Sequence, residues 1–420
     1  MRKIRRKLKK KFLVLIFILL IVFITGGCFG GYYLYKNHQK EIKIALEKEL
    51  VSKIKSHYGE VVSIKKDTEL YELVNDKYES IGTISKDEVV SLDNIDINKD
   101  TKYFKIKDLG YYVKYQDLKV GGELVTRSDR YKKYLLFNEN VVTKENTKLV
   151  RDGKVVYTIN NSIDKPIVLK DDNGYYIEYL NELLFVSNED VSNVYSANNT
   201  SEVSASSVAV TVYHFIFFEG DSSCNEAICH HESQIREHFN YLKTNNYFTM
   251  NTTELRLYLE GKLRAPKNSI LVTIDDGARA EGFIPLLEEY QVNATLFLIS
   301  GWYPKEKFKS EYMELASHTH NLHTPRVCPG GQGSPLKCLE KTKLVTDLQI
   351  SRELLNGTEA FCFPFYEYND YGISALQEAG FKMGFIGGGR KATPGVNLYK
   401  IPRLPLNRNT TLQQYISKIS

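Results

Sequence analysis

The pattern of apolar and polar positions divides the 420-residue chain into regions of different character. A charge-free stretch at 12–35 precedes a charged segment, 37–60, in which apolar residues recur every fourth position, as on one face of a helix. Residues 61–195 alternate short β-branched and aromatic runs with Asp, Asn and Gly turns, which indicates all-β structure. After a small, polar linker at 196–207, residues 208–420 alternate strand-like and helix-like segments. This last alternation predicts an α/β fold with a parallel sheet, most simply a barrel.

The charge-free stretch is long enough to cross the hydrocarbon core of a bilayer. Eight Lys and Arg residues lie within the first twelve positions, which predicts that the N-terminus stays in the cytoplasm. We therefore expect a cytoplasmic tail and transmembrane anchor at 1–36 and a helical stalk at 37–60. A cleaved signal peptide and a lipoprotein site at Cys28 are the alternatives. All three place the residues after about 36 outside the cytoplasm, and the anchor that we favour would keep them at the cell membrane.

The net charge of +5 comes from this basic tail. Eight of the 56 Lys and Arg residues belong to this tail. The rest of the chain therefore has 48 basic and 51 acidic residues. The rest of the protein is slightly acidic, and we expect neither nucleic acid nor a nucleotide as a partner.

The region at 61–195 contains an apparent internal repeat. Residues 61–70 are echoed by 141–149, and residues 111–115 by 175–179. The rhythm of strands, turns and tyrosines resembles bacterial SH3-like domains, which would occupy 61–122 and 130–195. Their tyrosines either bind cell-wall glycan or peptide, or fill the cores of a spacer, and we slightly favour the spacer.

Five of the six cysteines lie in the region expected to be exported, where disulfides persist. Cys224 with Cys229 and Cys328 with Cys338 are the natural local pairs, which would leave Cys362 free. Sequence alone does not fix this connectivity. Two histidines directly follow Cys229 and suggest a zinc site, but we favour a disulfide-closed loop or buried thiols.

A short apolar strand at 269–274 ends in Asp275, Asp276 and Gly277. Catalytic groups of α/β barrels lie at such carboxyl ends. Neighbouring strand side chains point in opposite directions, so one carboxylate can bind a metal while the other faces the substrate. Gly277 permits a tight turn. The alternative is an ordinary Asp-Asp-Gly turn that caps a helix.

Three histidines, His318, His320 and His323, follow within six positions of one another. The outer two are five positions apart, a spacing that would put them on different sides of a helix, so they converge only on a loop. Carboxylate with imidazole is the ligand set of a catalytic divalent metal, and zinc is the first expectation. The role of His320 is less clear.

Several segments in the last region together resemble the polysaccharide deacetylases of the NodB-homology type, carbohydrate esterase family 4. The resemblance covers 208–420 and implies a distorted (β/α) barrel. The spacing of the outer histidines is similar to that of the poly-N-acetylglucosamine deacetylase branch. The matching segments are 212–215, 273–277, 293–298, 318–323, 363–366 and 401–405.

The resemblance implies a role for each matched residue. Asp275 would be the general base, and Asp276, His318 and His323 would hold the metal. The backbone N–H of Phe365 would stabilise the oxyanion. His214 would protonate the leaving amine, unless it is only a packed strand residue.

Three departures from the family pattern stand out. Cys362 occupies the position of the arginine that usually orients the catalytic aspartate, and Tyr366 replaces a glycine. No Leu-x-His motif follows Arg403, so the usual general-acid histidine is missing. Arg403 is either the replacement that orients Asp275 or a structural residue.

The sequence therefore predicts a membrane-anchored, metal-dependent enzyme that removes N-acetyl groups from amino-sugar polymers. The anchor, stalk and SH3-like modules favour peptidoglycan as substrate. The alternatives are a secreted poly-N-acetylglucosamine exopolysaccharide as substrate, and a non-catalytic wall-binding protein with a degenerate deacetylase domain.

Overall fold

The computed structural model describes residues 31–46, 48–49, 52, 61–93, 103–107, 109–124 and 128–420. They form two compact units, the first from the described residues up to 127 with 144–162, and the second from 128–143 with 163–420. Residues 31–46 form an exposed helix, α1, which overlaps the predicted stalk. The predicted membrane span lies mostly outside the described residues. Within them, no helix has both the length and the apolar character needed to cross a bilayer.

The region between the stalk and the linker consists of short antiparallel strands. In the first unit, β4, β1 and β7 form one sheet, and β5, β6, β2, β3, β10 and β9 pair in that order in another. In the second unit the order is β14, β8, β11, β12, β13. The strands are β1 (Val61–Ile64), β2 (Thr68–Val74), β3 (Lys77–Ile84), β4 (Val89–Ser91), β5 (Tyr103–Lys105), β6 (Tyr112–Lys114), β7 (Leu118–Val120), β8 (Glu139–Thr143), β9 (Thr147–Arg151), β10 (Lys154–Ile159), β11 (Asp164–Asp171), β12 (Gly174–Tyr179), β13 (Glu182–Ser187) and β14 (Val191–Ser196).

Two-residue turns join several of these strands. Asn75 and Asp76, between β2 and β3, both have positive φ, as do Asp152 and Gly153 between β9 and β10. Such turns match the twist of a hairpin, and Asn, Asp and Gly adopt them most readily. The hairpin of β9 and β10 lies within the predicted second SH3-like domain and pairs with β3 of the first unit. The SH3-like assignment and its boundaries stay a prediction.

The second unit contains the α/β region. Its strands are β15 (Ala209–Tyr213), β16 (Phe215–Phe217), β17 (Cys229–His231), β18 (Phe248–Thr249), β19 (Ser269–Asp276), β20 (Ala294–Leu298), β21 (Met313–Ser317), β22 (Ala360–Cys362), β23 (Met383–Gly388) and β24 (Ile401–Pro405). Its helices are α2 (Glu232–Thr244), α3 (Thr252–Leu259), α4 (Ile284–Tyr290), α5 (Lys341–Leu354), α6 (Asp370–Glu378) and α7 (Leu412–Ile419).

Seven of these strands close a parallel barrel in the order β15, β19, β20, β21, β22, β23, β24 and back to β15. This confirms the predicted α/β barrel. Closure places the carboxyl ends of all seven strands at one rim, where the loops of α/β barrels carry their functional groups.

The two faces of β19 show why its terminal carboxylates separate. Val272 and Ile274 pack outward in a cluster with Phe239 of α2. Leu271 lies on the other face, in a cluster that fills the barrel with residues from several strands. Side chains alternate along a strand, so Asp275 shares the inner face with Leu271. The strand thus delivers Asp275 into the barrel interior, where it is 2% exposed.

The cysteine predictions are confirmed. Cys224 is bonded to Cys229 and Cys328 to Cys338. Cys362 is free and buried.

Candidate metal centre

Asp276 ends β19 in an unusual backbone conformation. Its φ is 77°, in the left-handed region, and the φ of Gly277 is 113°. A Cβ at Gly277 would lie 2.6 Å from Leu298 Cδ1 and 2.8 Å from Tyr303 Cδ2. Only glycine fits this approach, so the Asp-Asp-Gly sequence makes a strained turn that presents Asp276 at the rim.

The two outer histidines converge on Asp276. They lie on an irregular loop after β21, as predicted, in which Thr319 has a φ of 80°. His318 Nε2 lies 3.4 Å and His323 Nε2 3.3 Å from Asp276 Oδ1. One ligand atom from each residue lies within 4.8 Å of the other two. One carboxylate oxygen and two imidazole nitrogens therefore face a common point.

The chemistry of this donor set fits a divalent metal. His318 Nδ1 donates a hydrogen bond of 2.8 Å to the carbonyl oxygen of Cys362, so Nε2 is the ring nitrogen that faces Asp276. Burial disfavours protonation of His318, but Cys362 and Asp276 raise its pKa well above the usual value, so a metal that binds Nε2 would displace a proton from it. Burial lowers the pKa of His323 to about 4, which keeps that ring neutral, as a ligand must be. The centre attracts a cation and offers zinc-type ligands.

A carboxylate on α5 holds the histidine loop in place. Asp347 accepts hydrogen bonds from the backbone N–H groups of His320, at 2.9 Å, and Asn321, at 2.8 Å. The ring of His320 is not part of the group formed by Asp276, His318 and His323, and its Nδ1 lies 3.2 Å from Ser300 Oγ. His320 thus belongs to the support of the loop. Nothing in the sequence pattern marks Asp347 as its anchor.

Arg403 fixes the second carboxylate. Its guanidinium donates two hydrogen bonds to Asp275, of 2.7 Å to Oδ1 and 2.8 Å to Oδ2. Arg403 is fully buried and lies between the rings of Phe297 and Tyr366, at 5.6 Å and 5.1 Å from their centroids. Burial opposes ionisation of Asp275, but Arg403 outweighs it and holds the pKa of Asp275 well below its usual range. Asp275 is therefore an oriented carboxylate.

Cys362, which stands where the family has arginine, completes this cluster. Its Sγ accepts a hydrogen bond of 2.8 Å from Arg403 and lies 3.5 Å from Asp275 Oδ2. Burial raises the pKa of Cys362, so the group stays a thiol. Asp275, His318 and Cys362 also lie close enough to form a metal-ligand set. However, Arg403 already binds both oxygens of Asp275, and a second cation there would meet its charge.

The other two predicted residues also lie at this rim. His214 Nε2 lies 4.0 Å from Asp275 Oδ2. Burial lowers the pKa of His214, although Asp275 partly opposes the shift. Phe365 has a φ of 60°, and its ring centroid lies 4.5 Å from that of His323. The structure thus brings all seven predicted site residues to one end of the barrel.

Comparisons with known proteins agree with this arrangement. Residues 262–384 match the family model for polysaccharide deacetylase. A poly-beta-1,6-N-acetyl-D-glucosamine N-deacetylase of Staphylococcus aureus (strain MSSA476) is 27% identical over 213 residues, which cover 46% of this chain and 72% of the relative. The enzyme of the same name from Staphylococcus epidermidis is 25% identical over 197 residues, which cover 41% and 66%.

Two solved structures are also similar. The Streptococcus pyogenes deacetylase PplD in complex with acetate shares 19% identity over 51% of this chain and 98% of its own, with a TM-score of 0.42. IcaB from Ammonifex degensii shares 18% identity over 52% and 99%, also with a TM-score of 0.42. The assignment of the fold rests on the closed ring of strands. Residues 262–384 of this chain are similar to the polysaccharide deacetylase family, whose model they match.

Proposed function

We propose that the protein is an extracytoplasmic, metal-dependent N-deacetylase acting on poly-N-acetylglucosamine. The observation that carries the proposal is the convergence of Asp276, His318 and His323 on one point beside the ionised carboxylate of Asp275. The named relatives support this polymer over peptidoglycan, which the domain order alone had favoured.

Each residue has a defined task in this proposal. A divalent metal held by Asp276, His318 and His323 would polarise the acetamide carbonyl and acidify a water molecule. Asp275, held by Arg403, takes the proton of the attacking water. Water adds to the carbonyl carbon, the C–N bond breaks, and acetate and a free amine result.

The remaining groups handle the developing charges. The backbone N–H of Phe365 donates to the oxyanion formed when water adds. His214 Nε2 lies 4.0 Å from Asp275 Oδ2, and it passes to the leaving nitrogen the proton that Asp275 took from water.

The extracytoplasmic location is supported by two disulfides, which persist in oxidising compartments. The basic tail and apolar stretch before residue 36 support a membrane anchor with the N-terminus inside. The β domains would then hold the barrel away from the membrane as a spacer.

Acetate release from defined substrates tests the function. We expect release from β-1,6-linked N-acetylglucosamine oligomers, loss after chelation, and recovery when Zn²⁺ is added. Acetate release from peptidoglycan but not from these oligomers would contradict the proposed substrate. No release from either with metal present, but retained glycan binding, would favour the non-catalytic wall-binding alternative.

A further inference from the structure

The single tryptophan of the chain stands beside the candidate metal centre. Trp302 follows β20 and is 49% exposed. Its ring centroid lies 5.9 Å from that of His323, with the two planes at 76°. Isolated exposed aromatic residues are common and need no explanation. This one lies next to a metal ligand, at the rim where substrate would enter.

The backbone holds Trp302 at this place. The N–H groups of Ser300 and Gly301 donate to the carbonyl oxygens of Thr319, at 3.1 Å, and His320, at 2.9 Å. A Cβ at Gly301 would lie 2.2 Å from Asn321 Oδ1, so the segment that carries Trp302 packs closely against the histidine loop. Main-chain contacts therefore hold the backbone that carries Trp302 beside the histidine loop.

The rings around His323 form a partly open aromatic surface. The ring centroid of His323 lies 4.5 Å from that of Phe365 and 5.9 Å from that of Trp302. A large, rigid aromatic ring offers contact area with little loss of side-chain entropy. The C–H face of a pyranose ring is apolar and flat enough to lie on an indole, while its hydroxyl and acetamido groups point sideways toward polar partners.

We propose that Trp302 is a stacking platform for a pyranose ring of the polysaccharide, at the sugar being deacetylated or its neighbour. The inference rests on the proposed function, because it takes the ligand to be an N-acetylated glycan. It adds a specificity-determining residue: the platform binds the sugar ring, whereas the metal centre acts on the acetamide.

Intrinsic fluorescence tests the contact directly, since Trp302 is the only tryptophan in the chain. The full chain carrying Asp275→Asn, loaded with Zn²⁺, is titrated with a β-1,6-linked N-acetylglucosamine oligomer. We expect a saturable change in emission at the concentrations where calorimetry detects binding. Binding without an emission change would overturn the platform and leave the function intact. No binding by calorimetry would contradict both proposals.

Kinetics provide a second test. Trp302→Ala should raise KM for the oligomer about tenfold, equivalent to ~1.4 kcal/mol, with kcat and bound metal nearly unchanged. Trp302→Phe should restore most of the affinity. Tyr195→Ala is the matched control, because Tyr195 is 40% exposed on β14 and bonds to Asp164. A KM for Trp302→Ala within twofold of the wild-type value would overturn the inference. Absence of acetate release by the metal-loaded wild type would instead sink the proposed function.

Discussion

Both ends of the barrel contain partly buried acidic groups, but their partners differ. At the amino end, the Glu314 carboxylate of β21 accepts hydrogen bonds from Thr252 N–H, Thr252 Oγ1 and Thr295 Oγ1, of 3.0, 2.8 and 2.7 Å. At the carboxyl end, Asp276 instead faces ring nitrogens of two histidines. Glu314 is paired with fixed donors, whereas Asp276, His318 and His323 form a group that could hold a metal ion.

This difference identifies the functional end better than burial or cavity size does. A cavity of about 720 Å³ lies at the amino end, and Arg256, Glu314 and Met383 are among its lining residues. It is remote from the histidine loop. Asp276, His318 and His323 offer converging ligand atoms to a cation, whereas a carboxylate with three donors is already satisfied.

The largest effect should come from Asp276→Asn, which removes the charge at the centre of the ligand set. Metal content should fall to background. The rate of acetate release should fall ~10³-fold or more, because the variant loses several kcal/mol of transition-state stabilisation. Metal analysis and acetate release measure both. Glu314→Gln is the matched control at the other end, and full metal content in Asp276→Asn would refute the ligand assignment.

Asp275→Asn should separate chemistry from metal binding. Both oxygens of Asp275 are held by Arg403, so the variant should keep its metal. Turnover should fall by about 10²–10⁴, the usual contribution of general acid–base catalysis. Loss of metal from this variant would mean that the roles of the two aspartates are reversed.

Glu314→Gln should destabilise the protein without touching catalysis. The amide replaces one acceptor oxygen with a donor and leaves buried donors unpaired, which costs about 1–3 kcal/mol. Urea unfolding should show this loss, while acetate release per folded molecule stays at the wild-type value. A fall in activity similar to that of Asp276→Asn would erase the distinction between the two ends.

The smallest effect concerns a buried histidine outside the metal centre. His238 stacks on Tyr415 at 4.0 Å, and its Nδ1 lies 2.9 Å from the Tyr213 hydroxyl. Burial lowers the pKa of His238 to about 4. The unfolded chain binds a proton near pH 6.5, so this contribution to stability is complete above that pH and is lost as pH falls toward 4.

At pH 5.5 the contribution of His238 to the free energy of unfolding should be smaller by about 1.4 kcal/mol than at neutral pH. Unfolding of the wild type and His238→Gln at pH 7.5 and 5.5 checks the value. The variant should lose less stability on acidification. Equal losses in both proteins would show that His238 does not titrate in this way.

The sequence predicted the barrel because its long apolar segments, such as the one ending at Asp275, alternate with amphipathic helices. Several later strands were not predicted individually, among them β22, since three residues carry no periodicity. Asp276, His318 and His323 were predictable because metal ligands have a restricted chemistry and lie close together in the chain or follow a strand.

The supporting contacts were not predictable in the same way. Asp347 meets the histidine loop across more than twenty residues, and Cys362 meets Asp275 across 87. Such contacts depend on how the barrel closes. Arg403 was a candidate from sequence, but its two hydrogen bonds to Asp275 emerge only when β24 lies beside β15.

The most direct measurement is a crystal structure of the full chain grown with Zn²⁺, with data collected at the zinc absorption edge. We predict one strong anomalous peak in contact with Asp276, His318 and His323. A peak at another place, or none at these three side chains after soaking, would contradict the account.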